Sequence, residues 1–463
     1  MFLVGWDIDS RVRLIGEEPP NDGAPEHLRD FLEHLVKANP DLRIHILLWD
    51  FSVLYSLERE PVPALNLAWT TPPQIEVCLD DVVPFGSSHH QKTVIIDGKV
   101  AFCGGLDLTN NRWDTRDHDH KNPYRMDPAG EAYGPFHDMQ CVVDGDAAAS
   151  LTDLIKERWE RAACRKPHCP ETDNDPWPDG VTTLFENHEI AIARTVPPMG
   201  EREGIHEIQQ LYIDMINKAE KSIYLENQYF ATASIAKVLA ARLQECPDLE
   251  VIMVSSKQPF GFLEAHSMAS GQRRFMSYFE DLDLLDRVRF VYPRVPDGSE
   301  EGQDVQIHAK LTIVDDQLFR VGSANLNNRS MGTDGECDLA LEASSKTDSE
   351  AISRIRNDLL AEHLGLSIDQ VSDGIKQRGN IRSFIDTRKE EGRTLVEIDY
   401  SMDTNEKMAE IVQAIADPER PGNVSQFAGD MLSARPGGLQ IRGRYMVLGG
   451  AIVILALTYL LVM

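Results

Sequence analysis

Positive charge is scarce in this 463-residue chain: 46 lysines and arginines face 75 aspartates and glutamates, a formal net charge of −29. So acidic a body repels phosphate backbones at long range, which argues against a general nucleic-acid binder. A phosphate-ester enzyme is still allowed, because a small basic pocket can sit in an acidic surface. Paired cysteines are missing too. The seven, Cys78, Cys103, Cys141, Cys164, Cys169, Cys246 and Cys337, are odd in number and show no CxxC spacing. That speaks against a disulfide framework and a zinc site. Cys164 and Cys169, with His168 between them, are read as incidental, and reduced thiols facing the cytosol fit best. No carboxylate cluster has calcium-loop spacing. No secretory signal opens the chain; Met1 leads directly into Phe2-Leu3-Val4-Gly5-Trp6-Asp7-Ile8-Asp9, which reads as a buried strand ending in carboxylates.

Charge is absent altogether from 445–463, and Arg435, Arg442 and Arg444 precede that stretch. As a helix rising ~1.5 Å per residue it would cover ~28 Å, close to a bilayer's hydrocarbon core. A single-pass C-terminal transmembrane helix over 445–463 is therefore expected. The arginines before it would keep the large body on the cytoplasmic side.

What is present is a repeat. Asn39-Pro40-Asp41-Leu42-Arg43-Ile44-His45-Ile46-Leu47 has an echo in Cys246-Pro247-Asp248-Leu249-Glu250-Val251-Ile252-Met253-Val254. Each follows a helical pattern: Leu28, Phe31, Leu32, Leu35 and Val36 in one copy, Ile235, Val238, Leu239 and Leu243 in the other. Further on, His90-Gln91-Lys92-Thr93-Val94-Ile95-Ile96-Asp97 matches His308-Ala309-Lys310-Leu311-Thr312-Ile313-Val314-Asp315. Asp138-Met139-Gln140-Cys141-Val142 parallels Asp338-Leu339-Ala340-Leu341-Glu342, and helices over about 148–162 and 349–364 follow. The fold class is α/β: two repeated units, 1–185 and 186–365, each a mixed sheet flanked by helices. They are expected to pack as a pseudo-twofold pair with the active site at the seam. Residues 366–440 read as an acidic peripheral extension or tether. A helix over 205–219 precedes the strand 222–226 in the second copy and has no counterpart before Phe2, so the first unit reads as lacking its N-terminal helix.

Residues two apart on a strand share a face. His90 and Lys92 thus project together, as do His308 and Lys310, and buried aliphatics follow both pairs. One such pair would mean little. Two in equivalent places of a duplicated fold point to a reaction centre.

The doubled HxKxxxxD, with Gly104-Gly105-Leu106-Asp107-Leu108 after the first and Gly322-Ser323-Ala324-Asn325 after the second, resembles the phospholipase D superfamily. Gly98 to Gly105, Arg112-Trp113-Asp114 and Ile223-Tyr224-Leu225-Glu226-Asn227-Gln228-Tyr229-Phe230 are similar to its eukaryotic-type branch and the bacterial relatives of that branch. The likeness covers most of 1–365.

That resemblance implies a phosphodiesterase cleaving the head-group ester of a membrane phospholipid through a phosphohistidine. By analogy His90 is the nucleophile and His308 the acid/base, an order the residues themselves leave reversible. Lys92 and Lys310 would hold the non-bridging oxygens. Ser323 and Asn325 match the family's phosphate-binding positions, whereas the first copy has Gly105 and Asp107 there. Asp97 and Asp315 lie seven residues from their histidines, about 23 Å along a strand, so both are expected to be structural hairpin residues. The orienting carboxylates are expected to be Glu336 for His308 and Asp114 for His90. His137 resembles a family position near the pocket, and a purely structural role is equally open. No metal or other cofactor, no nucleic acid and no obligate protein partner is expected. A phosphatidyltransferase of the cardiolipin-synthase kind is the first alternative; a nuclease and a catalytically silent membrane scaffold are the others.

Overall fold

The structure is a computed structural model. It describes residues 1–16, 22–50, 71–257, 262–388, 392–400 and 417–421, with 262–268 in backbone only. The first half runs β1 (Phe2–Gly5), α1 (Leu28–Ala38), β2 (Ile44–Trp49), β3 (Ile75–Asp80), β4 (Thr93–Ile96), β5 (Val100–Gly104), β6 (Phe136–His137), β7 (Gln140–Asp144) and α2 (Gly145–Ala163). Its six-stranded sheet has the order β3-β2-β1-β4-β5-β7. β1 is parallel to β2 and antiparallel to β4.

The second half runs β8 (Ala191–Val196), β9 (Ile205–His206), α3 (Glu207–Lys218), β10 (Ser222–Glu226), α4 (Ala233–Glu245), β11 (Glu250–Val254), α5 (Phe262–Glu280) and β12 (Val288–Val295). It continues through β13 (Gln303–Asp304), β14 (Gln306–Ile307), β15 (Leu311–Val314), β16 (Leu318–Gly322), α6 (Asn328–Gly332), β17 (Glu336–Glu342) and α7 (Lys346–Leu364). Within its larger sheet lies β12-β11-β10-β15-β16-β17. Parallel and antiparallel neighbours repeat those of the first half strand for strand. The duplication read from the HxK echoes is thus a duplication of sheet topology.

Side-chain alternation explains why both faces of each sheet are covered. Phe2 and Val4 of β1 face the cluster with Ala148, Leu151, Ile155 and Trp159 of α2. Leu3 faces Leu28, Leu32 and Val36 of α1, which are spaced four apart on one helical stripe. In the second sheet α3, α4 and α5 cover one face and α7 the other. The segment after α7 joins this covering layer through α8 (Ile368–Arg378), α9 (Ile381–Asp386) and β18 (Thr394–Glu397). Val371, Phe384 and Leu395 enter the core there, and β18 adds to β12.

The halves meet along β5 and β17. Cys337 and Leu339 pack in the first half's core beside Cys103. The chain leading into each HxK strand pairs with the other half. His308 N–H donates to His137 O, and His90 N–H donates to Gly335 O, each at 2.8 Å.

The expected membrane anchor is corrected. Among the described residues no helix is long and apolar enough to cross a membrane, and 445–463 lies outside them. The assignment of a single-pass C-terminal span with a cytoplasmic body is withdrawn.

Candidate functional site

Both HxK segments lie just before short core strands, β4 and β15, whose far ends turn tightly. Asp97 and Gly98 have φ of 56° and 70°, and Asp315 and Asp316 have φ of 52° and 56°. Left-handed backbone at both central residues is the primed-turn geometry that follows the strand twist, with three residues between the paired Ile96 and Val100 and between Val314 and Leu318. The Asp315 carboxylate accepts the N–H groups of Glu220, Lys221 and Ser222 at 2.6, 2.8 and 2.7 Å.

At the near ends the two halves exchange carboxylates. His90 Nδ1 lies 3.0 and 3.1 Å from Oε1 and Oε2 of Glu336. His308 Nδ1 lies 2.7 Å from Oδ2 of Asp138. Glu336 therefore serves His90 and not His308, contrary to the sequence expectation. Asp114 serves neither: its oxygens take His118 Nδ1 at 2.8 Å, Arg125 at 2.9 Å and the N–H of Phe136 at 2.8 Å. Register gives the reason. Gly104 is opposite Gln140, and Gly322 is opposite Asp338. Asp138 is therefore equivalent to Glu336, two positions from the match that the residue letters suggest.

The carboxylates are themselves positioned. Glu336 accepts the hydroxyls of Ser323 at 2.5 Å and Ser330 at 2.7 Å. Ser323 Oγ also accepts Cys337 N–H at 3.0 Å, so its expected place on a phosphate is corrected to a place behind Glu336. At the equivalent Gly105, an added Cβ would stand 2.2 Å from Asp138 Oδ1; only glycine leaves room for that carboxylate. Asn325 is buried, with Oδ1 unpartnered among the described residues. Asp107, its counterpart, pairs with Lys92 at 3.0 Å and accepts Trp6 N–H at 2.9 Å.

Lys92 and Lys310 each donate back to the carbonyl of the histidine two residues earlier. Burial, then Lys92 and Lys310, hold His90 well below the usual imidazole range. Burial, Lys310, Arg112 and Lys92 do the same to His308. Burial pushes Lys310 down to about 7, against the opposing pull of Asp138. It pushes Glu336 up to about 8 and Asp138 up to about 6. Charges from both halves thus act on both imidazoles, which favours neutral rings with Nε2 available for reaction. Arg112 is a site residue that sequence reasoning passed over; its guanidinium lies over the Phe136 ring at 5.2 Å, and that ring lies 5.6 Å from His308.

A second buried cluster adjoins Asp138. His137 Nε2 is 2.8 Å from Glu226 and Nδ1 is 2.6 Å from Glu362, while His363 lies 2.8 Å from Glu226. His118, His137 and Glu362, or His137, Glu226 and His363, could hold a cation by proximity of ligand atoms. Their mutual ion pairing also accounts for the arrangement. Burial would lower His137, but Glu226 and Glu362 more than offset it and raise its pKa well above the usual value.

Known proteins resemble this chain over most of its length. A family model described as "Phospholipase D" matches residues 78–176, and one described as "Cardiolipin synthase, PLD-like domain" matches 212–359. Phospholipase D A of Dictyostelium discoideum is 25% identical over 439 residues, covering 79% of this chain and 34% of that protein. Phospholipase D alpha 2 of Oryza sativa subsp. japonica is 24% identical over 482 residues, covering 74% and 58%. The chain thus spans between a third and three-fifths of these relatives' lengths. A phosphatidylserine synthase from Haemophilus influenzae Rd KW20 superposes with a TM-score of 0.50 at 14% identity, over 84% of this chain and 89% of that one. At that identity the likeness is one of fold.

Proposed function

From the premise that this chain belongs to the phospholipase D superfamily, we propose that it cleaves the head-group ester of a membrane phospholipid to phosphatidic acid and an alcohol. The observation that carries the reading is the crossed support: each imidazole is held at Nδ1 by a carboxylate from the opposite half. Two oriented bases beside two ammonium groups suit a phosphodiester anion, in which one imidazole must attack while the other gives a proton.

In the first step Nε2 of His90 attacks phosphorus. The P–N bond forms, the P–O bond to the head group breaks, and His308 delivers its proton to the departing alkoxide. Lys92 and Lys310 neutralise charge on the non-bridging oxygens as the phosphorane forms. An incoming anion also offsets the lysine field that holds His308 neutral, so substrate itself promotes protonation of the acid. In the second step His308 takes a proton from water, whose oxygen bonds to phosphorus as the P–N bond breaks.

A second reading has a specific support, since the model matching 212–359 is described by cardiolipin synthase. An alcohol replacing water in the second step would make the same site a phosphatidyltransferase. Both readings meet one experiment: head-group release from vesicles of several phospholipid classes, with and without added glycerol. Release without glycerol adduct marks the hydrolase, and adduct in place of phosphatidic acid marks the transferase. His90→Ala and His308→Ala should each abolish turnover while keeping cooperative unfolding; normal turnover in either defeats the assignment.

A further inference from the structure

Residues 417–419 lie some 80 positions beyond the site's own loop, yet they press against its outer side. Asp417 is 2% exposed. Its Oδ1 accepts Arg329 N–H at 2.9 Å, and its Oδ2 is buried with no hydrogen-bond partner among the described residues. Pro418 O accepts the Thr333 hydroxyl at 2.9 Å. Glu419 O comes so near Gly332 that an added Cβ there would meet it at 3.1 Å. These contacts are polar and fall on one face of α6 and the turn after it.

The inner side of the same turn builds half of the active site. Ser330 donates to Glu336. Arg329 holds Asp334 with two bonds of 2.9 and 2.7 Å. Asp334 accepts Ser88 N–H at 2.8 Å. Gly335 then exchanges bonds with the segment carrying the nucleophile candidate: its N–H donates to Ser88 O and its O accepts His90 N–H. Arg329 thus touches 417 through its backbone and the His90 bed through its side chain, with Ser330 one residue further.

We propose that the segment at 417–419 is a strap that sets the position of the Glu336–His90 pair, with Asp417 as a positioning residue and strap release as a means of lowering activity. Its kinetic consequence rests on the phosphodiesterase reading; its geometry does not. Buried hydrogen bonds to a turn with no room to relax transmit displacement because interiors are close-packed. A shift of about 1 Å in a reacting group can cost on the order of 100-fold in rate.

The test uses the full chain with Asp417→Ala, Asp417→Asn and Thr333→Val. Asparagine keeps an oxygen acceptor for Arg329 N–H, and valine removes only the hydroxyl that Pro418 engages. Head-group release should fall at least tenfold in kcat for Asp417→Ala and Thr333→Val. KM and the thermal midpoint should stay near wild type, the pH–rate profile should be displaced, and Asp417→Asn should restore most of the rate. The downfield Nδ1–H proton of His90, identified by its loss in His90→Ala, should shift in Asp417→Ala and return in Asp417→Asn. Activity that falls only in step with thermal stability, or an unmoved His90 resonance in both strap variants, overturns the proposal. Should the wild type release no head group, the phosphodiesterase reading fails separately, and the His90 resonance still decides the strap.

Discussion

Glu336 opens β17 in the second half of the molecule, yet its carboxylate grips Nδ1 of His90 in the first, at 3.0 and 3.1 Å. Asp138 returns the exchange to His308. Neither half can orient its own histidine. On the proposed phosphodiesterase reading the seam between the sheets is a requirement of the site, and the halves must be docked before either imidazole is oriented.

The exchange predicts which variant harms which step. Glu336→Gln leaves His90 without its carboxylate and should slow phosphohistidine formation on the order of 100-fold or more, the usual weight of a positioned base. Asp138→Asn should slow a natural lipid to a similar degree, because His308 then gives its proton poorly. A p-nitrophenyl phosphodiester, whose leaving group needs no proton, separates them: it should rescue the first step of Asp138→Asn but not of Glu336→Gln. Burst kinetics with both substrates check this, and equal rescue of the two variants would show that the carboxylates are not divided as described.

Acid–base balance at the seam predicts a narrow pH optimum. Burial raises Asp138 to about 6, so acid protonates it and His308 loses its support as pH falls through that value. Burial lowers Lys310 to about 7, so its charge is lost as pH rises. The kcat/KM profile, which reports the free enzyme, should be bell-shaped: its acid limb is set jointly by Asp138 and by Glu336, which burial raises to about 8 beside His90, and its alkaline limb by Lys310, all as macroscopic constants of the coupled site. Lys310→Arg keeps its charge at any working pH and should move only the alkaline limb upward. A profile with an unmoved alkaline limb in that variant would remove Lys310 from the explanation.

Much of this was legible in the chain itself, for identifiable reasons. Buried strands beginning with two same-face polar groups are rare enough that His90-x-Lys92 and His308-x-Lys310 exposed the duplication, and the sheet order repeats as expected. Supporting residues were harder. Asp138 and Asp338 share a letter and a hydrophobic sequel, but strand register makes Glu336 the true partner of Asp138. Periodicity reports which face a residue takes, never which neighbouring half receives it, so the crossing of carboxylates was hidden. Arg112 and Asp417 lie in loops and Ser330 in the five-residue α6, where no repeat of spacing marks them.

The cluster behind the seam supports a last prediction, about stability. Burial alone would raise Glu226, but His137 and His363 hold it well below the usual carboxylate range; Glu226 also accepts the Tyr224 hydroxyl at 2.6 Å. Replacing one partner of a buried ion pair strands the other, a loss of about 3–5 kcal/mol. Glu226→Gln should therefore destabilise the fold by an amount in that range at neutral pH, measured by urea unfolding. The sign of its pH dependence follows from linkage. With Glu226 depressed, its contribution is present above the unfolded carboxylate pKa and lost as pH falls through the folded value. With His137 raised, its contribution is complete below the unfolded imidazole pKa and lost as pH rises through the folded value. The gap between wild type and Glu226→Gln should accordingly be widest near neutrality and shrink toward alkaline pH as the imidazolium loses its proton. A gap that is constant with pH would mean that Glu226 acts through packing and the tyrosine bond, not through charge.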